Sequence, residues 1–144
     1  MEPHAYNVNI EWNNDRKGTM SSPELNNKIE VATPPQFPKG MEGIWSPERL
    51  FTAAVSSCLM TTFLAIAENS KLDFVSFDCK SKGKLEQVDG KFLMTEIILE
   101  PTVIIRNEQE RDKAMRVLQK SEAACLISNS VRSKITMTPV IKTA

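Results

Sequence analysis

Apolar and polar positions alternate from the start of the chain. Tyr6, Val8, Ile10 and Trp12 share one parity and Asn7, Asn9 and Glu11 the other, which is the period of a half-buried strand. The polar run Asn13-Asn14-Asp15-Arg16-Lys17-Gly18 predicts a turn after it, because Asn, Asp and Gly tolerate left-handed backbone. Residues 19–22 and 28–31 supply one or two further strands. Between residues 33 and 43, Pro34, Pro35, Pro38, Gly40 and Gly43 exclude regular structure and predict a loop.

Ser46-Pro47-Glu48 marks a helix start: a capping hydroxyl, a proline in the first turn and an acid near the positive end of the dipole. The helix is predicted over 47–69. Residues 50–67 carry no charge, so the helix is apolar almost all round and is expected at the centre of the fold. Alternation then returns. Phe77, Cys79, Ser81, Gly83 and Leu85 face one way and Asp78, Lys80, Lys82 and Lys84 the other, and Asp89-Gly90 is a hairpin turn signal. The return strand places Leu93, Ile97, Leu99, Val103 and Ile105 on one parity. An amphipathic helix is predicted over 107–120, with Ala114, Val117 and Leu118 inside, and a second short helix or kinked continuation over 121–128. A last strand runs through Val131, Ser133, Ile135, Met137 and Ile141. The order ββ(β)–α–ββ–α(α)–β, with strands in hairpin pairs, predicts an α+β fold with a mostly antiparallel sheet packed on the long helix.

A length of 144 residues suits one domain, 1–144, able to bury roughly 68–70% of its unfolded surface. Eighteen basic and eighteen acidic side chains cancel, so the broad positive field that nucleic-acid binding needs is missing. Three cysteines, an odd number, argue against a secreted disulfide framework. The start, Met1-Glu2-Pro3-His4, has no basic run followed by an apolar one, and the expected address is the cytoplasm. The uncharged stretch 50–67 sits at the short end of the membrane-spanning range and carries Thr52, Ser56, Ser57, Thr61 and Thr62. It therefore reads as a core helix rather than a span.

The single histidine, His4, leaves no basis for a zinc site or a His-assisted nucleophile. GxSxG, GxGxxG and GxxxxGK motifs are all missing, and no cofactor is implied. What remains is thiol chemistry. Cys79 lies on the apolar parity of a strand and reads as a small core residue. Cys58, on the helix side bearing Phe51, Ala54, Val55 and Thr62, and Cys125, in Ala123-Ala124-Cys125-Leu126-Ile127, fit either packing or chemistry on spacing alone. A nucleophilic thiol must ionise, yet an ordinary one is only about 3% thiolate at pH 7. The cation best placed to help is Arg16, at the tip of the first hairpin, which Glu48 would hold.

Ser46-Pro47-Glu48-Arg49-Leu50-Phe51, with Cys58 ten positions after Glu48 and Cys125 on a later helix, resembles the OsmC/Ohr superfamily of osmotically inducible and organic hydroperoxide resistance proteins. Members share the Pro-Glu-x-Leu helix start followed by Ala-Ala and a cysteine at this spacing, and Arg16 falls where they place a catalytic arginine. The resemblance spans nearly the whole chain. It implies an OsmC-like fold, an intertwined homodimer with active sites at the subunit interface, and a thiol-dependent peroxidase. Cys58 would attack the peroxide and Cys125 would resolve the product as a disulfide. Arg16 would stabilise the charges, with Glu48 orienting it. A dithiol, either a small molecule or a lipoylated protein, would reduce the disulfide. One departure is Cys125-Leu126-Ile127-Ser128, where many members have Cys-Pro-x-Ser.

Ten residues of helix rise about 15 Å, so Glu48 and Cys58 share a site only through the long Arg16 side chain or across two subunits. Phe51, Val55, Leu59 and Phe63 favour alkyl hydroperoxides. The rival reading is a non-catalytic dimer of the same fold that binds a small hydrophobic ligand or senses redox state.

Overall fold

The computed structural model describes residues 1–144 and divides them into two units, Met1–Leu50 and Phe51–Ala144. In the first unit, β1 (Asn9–Asn14), β2 (Lys17–Ser21) and β3 (Ile29–Ala32) form an antiparallel sheet in that order. The turn is tighter than the polar run suggested. Asn14 pairs with Lys17, leaving only Asp15 and Arg16 at the tip. Side chains close it: the Trp12 indole donates to the Asp15 carbonyl at 3.0 Å and the Thr19 hydroxyl to Asn13 Oδ1 at 2.6 Å.

The first strand also departs from expectation. It begins at Asn9, and Tyr6, Val8, Ile10 and Trp12 are 65–89% exposed instead of half-buried. Period two reports the pleat of a strand; whether a second layer covers the apolar face is a separate matter. The segment from 33 to 45 is the predicted loop, sewn to the sheet by Thr33 N–H to Arg16 O, Met41 N–H to Thr33 O and Ala32 N–H to Trp45 O.

Helix α1 (Pro47–Asn69) has the predicted bounds. Ser46 Oγ, 1% exposed, accepts from Arg49 N–H at 3.2 Å, a capping bond to one of the orphan donors of the first turn. At the other end, Leu72 N–H bonds to Ala67 O and Lys71 N–H to Glu68 O, with Lys71 at φ 54°. That is a Schellman closure whose left-handed position holds a lysine.

The helix buries one stripe, Val55, Cys58, Leu59, Phe63 and Ala67. Met60 and Leu64, off this stripe, stay exposed. One sheet covers one face of a helix, and the other needs a further layer. By length and composition alone α1 could cross a membrane, but its stripe packs on the sheet of the second unit.

That sheet is built on a long hairpin, β4 (Phe74–Val88) and β5 (Lys91–Ile105). Asp89 and Gly90 make its turn at φ 50° and 77°, the type I′ geometry expected of Asp-Gly. Two short strands, β6 (Lys134–Met137) and β7 (Val140–Thr143), pair parallel to β5. The single last strand expected from alternation is therefore two, interrupted at Thr138-Pro139, where Pro139 has no N–H for a ladder. Helix α2 (Arg111–Ala124) follows a 3-10 turn, Glu108–Glu110, and runs four residues past its predicted end; a 3-10 turn at Ser128–Ser130 replaces the predicted second helix.

The core has two parts. Val55 and Leu59 pack with Ile97 and Leu99, and Phe63 and Ala67 pack with Val103, Ile105, Val117 and Leu118. The Phe63 ring stacks on Phe77 at 4.8 Å and meets Phe74 edge-on at 5.1 Å. Strand β4 approaches α1 closely at Gly83, where a Cβ would lie 2.1 Å from Thr52 Oγ1.

Candidate functional site

Cys58 belongs to the buried stripe of α1 and is 8% exposed. Cys125 is fully buried at the C-cap of α2, where extended backbone (ψ 111°) ends the helix. The chain then folds into a turn fixed by four bonds. Asn129 N–H donates to Cys125 O, Ser130 N–H to Ile127 O, the Asn129 amide to Ala123 O and the Ser130 hydroxyl to Leu126 O.

The N–H groups at the head of this turn point at sulfur. Burial pushes the Cys58 thiol up, yet hydrogen bonds from the Cys125 thiol, the Ile127 N–H, the Thr62 hydroxyl and the Leu126 N–H together outweigh it and leave its pKa below the ordinary value. Thr62 lies one helical turn further on, with Oγ1 3.9 Å from the Cys58 sulfur. Cys125 moves the opposite way. Burial and the bond it gives to Cys58 raise its pKa, and the Ser128 hydroxyl and N–H only partly offset them. Ser128 Oγ is buried and makes no full hydrogen bond; it approaches the Cys125 sulfur without the geometry of one.

The two thiols are thus neighbours with unequal acidity. Of the two, Cys58 is the one shifted towards the thiolate. Within this unit hydrogen bonding, much of it from backbone N–H, is what holds the Cys58 thiol down. Thr62, Leu126, Ile127 and Ser128 were not singled out in the sequence as site residues. Thr62 was legible as the i+4 neighbour of Cys58; the amides carry no side-chain signal.

Cys79, half-buried on β4, has its sulfur 3.6 Å from both Ser81 Oγ and Lys80 O, and burial raises its pKa. It is a packing residue. Arg16 stands exposed at the hairpin tip and lines a cavity of about 370 Å³ with Asp15, Lys39 and Met41. Glu48 is in the first turn of α1, half-buried. The ion pairs of the chain do not include an Arg16–Glu48 pair. A larger cavity of about 590 Å³ is lined by Phe51, Leu93, Met94, Val131 and Arg132, among others.

The family model described as OsmC-like protein matches residues 40–140. The uncharacterised protein YmaD of Bacillus subtilis is 25% identical over 94% of this chain and 91% of its own length. An OsmC-like protein of unknown function from Vibrio cholerae has a similar structure (TM-score 0.86, 22% identity, covering 96% of this chain and all of that one). So does an organic hydroperoxide resistance protein from Elizabethkingia anophelis (TM-score 0.78, 19% identity, 99% of both chains). At these identities the two structures establish a shared fold.

Proposed function

Because the chain belongs to the OsmC-like protein family, we propose that it is a thiol-dependent peroxidase for organic hydroperoxides or hydrogen peroxide. The observation that carries this reading is the Cys58–Cys125 pair, in which one thiol has its pKa lowered by the contact that raises the other. The Cys58 thiolate attacks the distal oxygen of the hydroperoxide. An S–O bond forms, the O–O bond breaks, and the alkoxide leaves and takes a proton to become the alcohol. Sulfur is oxidised by two electrons to the sulfenic acid.

Cys125 then attacks that sulfur, forming the disulfide and releasing water. A dithiol regenerates both thiols by exchange and becomes a disulfide itself. Arg16 would stabilise the developing alkoxide and Glu48 would orient it, with the whole chain working as one domain in a homodimer. The exposed Met60 and Leu64 of α1 and the exposed apolar parity before and in β1 are what a second copy would cover. Such an enzyme would work in the cytoplasm.

The rival reading, a ligand-binding member of the family without catalysis, is favoured by the 590 Å³ cavity with Phe51, Leu93 and Val131 in its wall. Turnover separates the two. The purified parent should consume cumene hydroperoxide with a dithiol, and Cys58→Ser should fall to background. One equivalent of peroxide should remove two titratable thiols from the parent and one from Cys125→Ser. A Cys58→Ser protein as fast as the parent would remove the catalytic reading.

A further inference from the structure

Of residues 123–130, only Cys125 and Ser128 are buried. The turn that follows α2 sets both on its inner side. Asn129 N–H reaches back to Cys125 O at 3.0 Å and Ser130 N–H to Ile127 O at 2.9 Å. The chain doubles over between them and brings Ser128, 8% exposed, back to the end of the helix.

Its neighbours show the ordinary fate of a serine hydroxyl at such a place. Ser121 donates to Val117 O at 2.6 Å and Ser130 to Leu126 O at 2.7 Å. Ser128 has no such carbonyl. Its oxygen is buried without a full hydrogen bond, and the group it acts on is the Cys125 thiol. An orphaned buried hydroxyl weakens the fold, and such groups are kept where chemistry has a use for them. A neutral thiol is a poor partner, because its sulfur accepts only weakly. A thiolate is a much better one, since hydrogen bonds to a charged acceptor are roughly twice as strong. The Ser128 hydroxyl therefore gains its partner only when Cys125 ionises.

We propose that Ser128 serves the resolving step: its hydroxyl donates to the Cys125 sulfur as that thiol gives up its proton to attack the Cys58 sulfenic acid. The assignment rests on the peroxidase reading above. In this step the S–S bond forms and the S–O bond of the sulfenic acid breaks. The Cys125 sulfur is oxidised and the sulfenic sulfur reduced. Hydroxide leaves and takes the proton from Cys125, giving water. Because the hydrogen bond is made to the ionising thiol and not to the resting one, it speeds the step. Attack of Cys58 on the peroxide makes no use of it. The titratable group facing Cys125 from α1 is Cys58, whose charge raises the Cys125 pKa, whereas the Ser128 hydroxyl and N–H lower it. Conversion of the Cys58 thiolate to the sulfenic acid takes that charge away, and the help from Ser128 remains.

The test follows both steps in the reduced parent, Ser128→Ala and Ser128→Thr after one equivalent of cumene hydroperoxide. Dimedone capture counts the sulfenic acid, and loss of the second thiol counts the disulfide. Sulfenic acid should form at rates within about twofold in all three. The disulfide should form about tenfold more slowly in Ser128→Ala, as expected for one lost bond to a charged group. The pH midpoint of this second step should move upward. Ser128→Thr keeps a hydroxyl and should stay near the parent. The Tm of Ser128→Ala should match or exceed that of the parent, since the group removed was unpartnered. A Ser128→Ala protein with the parent's disulfide rate and pH midpoint would overturn the proposal. So would slowing that comes with a lowered Tm and is not rescued in Ser128→Thr. If peroxide oxidises Cys58 in none of the proteins, the peroxidase reading fails. The contact is then decided by thiolate absorbance in proteins that also carry Cys58→Ser and Cys79→Ser, where Cys125 is the one thiol left. Ser128→Ala should raise the Cys125 midpoint there, and an unmoved midpoint would overturn the contact too.

Discussion

The Cys125 thiol neighbours the sulfur of Cys58, and this one contact lowers the pKa of Cys58 and raises that of Cys125. The two neighbouring thiols are therefore shifted in opposite directions. The contact can be tested by removing the Cys125 thiol. With its pKa lowered, Cys58 should be alkylated by iodoacetamide with a pH midpoint below that of an ordinary thiol. Cys125→Ala should move that midpoint upward, while Cys125→Ser, which keeps a donor, should move it less. Identical midpoints in all three proteins would mean that the thiol–thiol bond does not set the acidity of Cys58.

The second prediction concerns Glu108. Hydrogen bonds from Arg111 and from the Thr143 hydroxyl hold its carboxyl down at about 2, and Arg111 also reaches the Ile141 carbonyl at 2.9 Å. Folded Glu108 is therefore more acidic than unfolded Glu108. Its contribution to stability is complete above the unfolded value of 4.5 and is lost as the pH falls towards about 2. Carboxyl NMR titration should place the folded midpoint near 2, and Arg111→Gln should return it towards the ordinary carboxylate range. A parent midpoint already in that range would refute the assignment.

The third concerns the contact between β4 and α1. A methyl group at Gly83 would sit 2.1 Å from Thr52 Oγ1 and 2.7 Å from Met94 Cε. Gly83→Ala should cost about 1–3 kcal/mol, the usual range for overpacking, and lower the Tm in thermal denaturation. Adding Thr52→Ala removes the nearest atom and should recover part of the loss. A Gly83→Ala protein as stable as the parent would show that the strand moves away without cost.

Much of the fold was legible along the chain. The bounds of α1 followed from Ser46, Pro47 and an apolar run, because capping and burial act locally. Asp89-Gly90 announced its turn, because few residue pairs accept two left-handed positions in succession. The last strand was misread as continuous, since Ile135, Met137 and Ile141 keep the alternation across Pro139. Its parallel pairing with β5 was out of reach, because direction is set by where the intervening α2 returns the chain. The exposure of Trp12 and Ile10 was equally hidden, since alternation says nothing of what lies opposite.

The site divides in the same way. Sequence alone pointed to thiol chemistry, since one histidine and no nucleotide or metal motif left the cysteines as the candidates. It also set Cys79 apart as the expected packing residue, because it sits in a strand whose parity is visible. Only the tertiary structure decided that Cys58 and Cys125, sixty-seven positions apart, are neighbours whose pKa values shift in opposite directions. Of the groups that lower the Cys58 pKa, the Cys125 thiol comes first and a backbone amide, that of Ile127, second. Every residue but proline has such a group, so its effect comes from where the fold aims it.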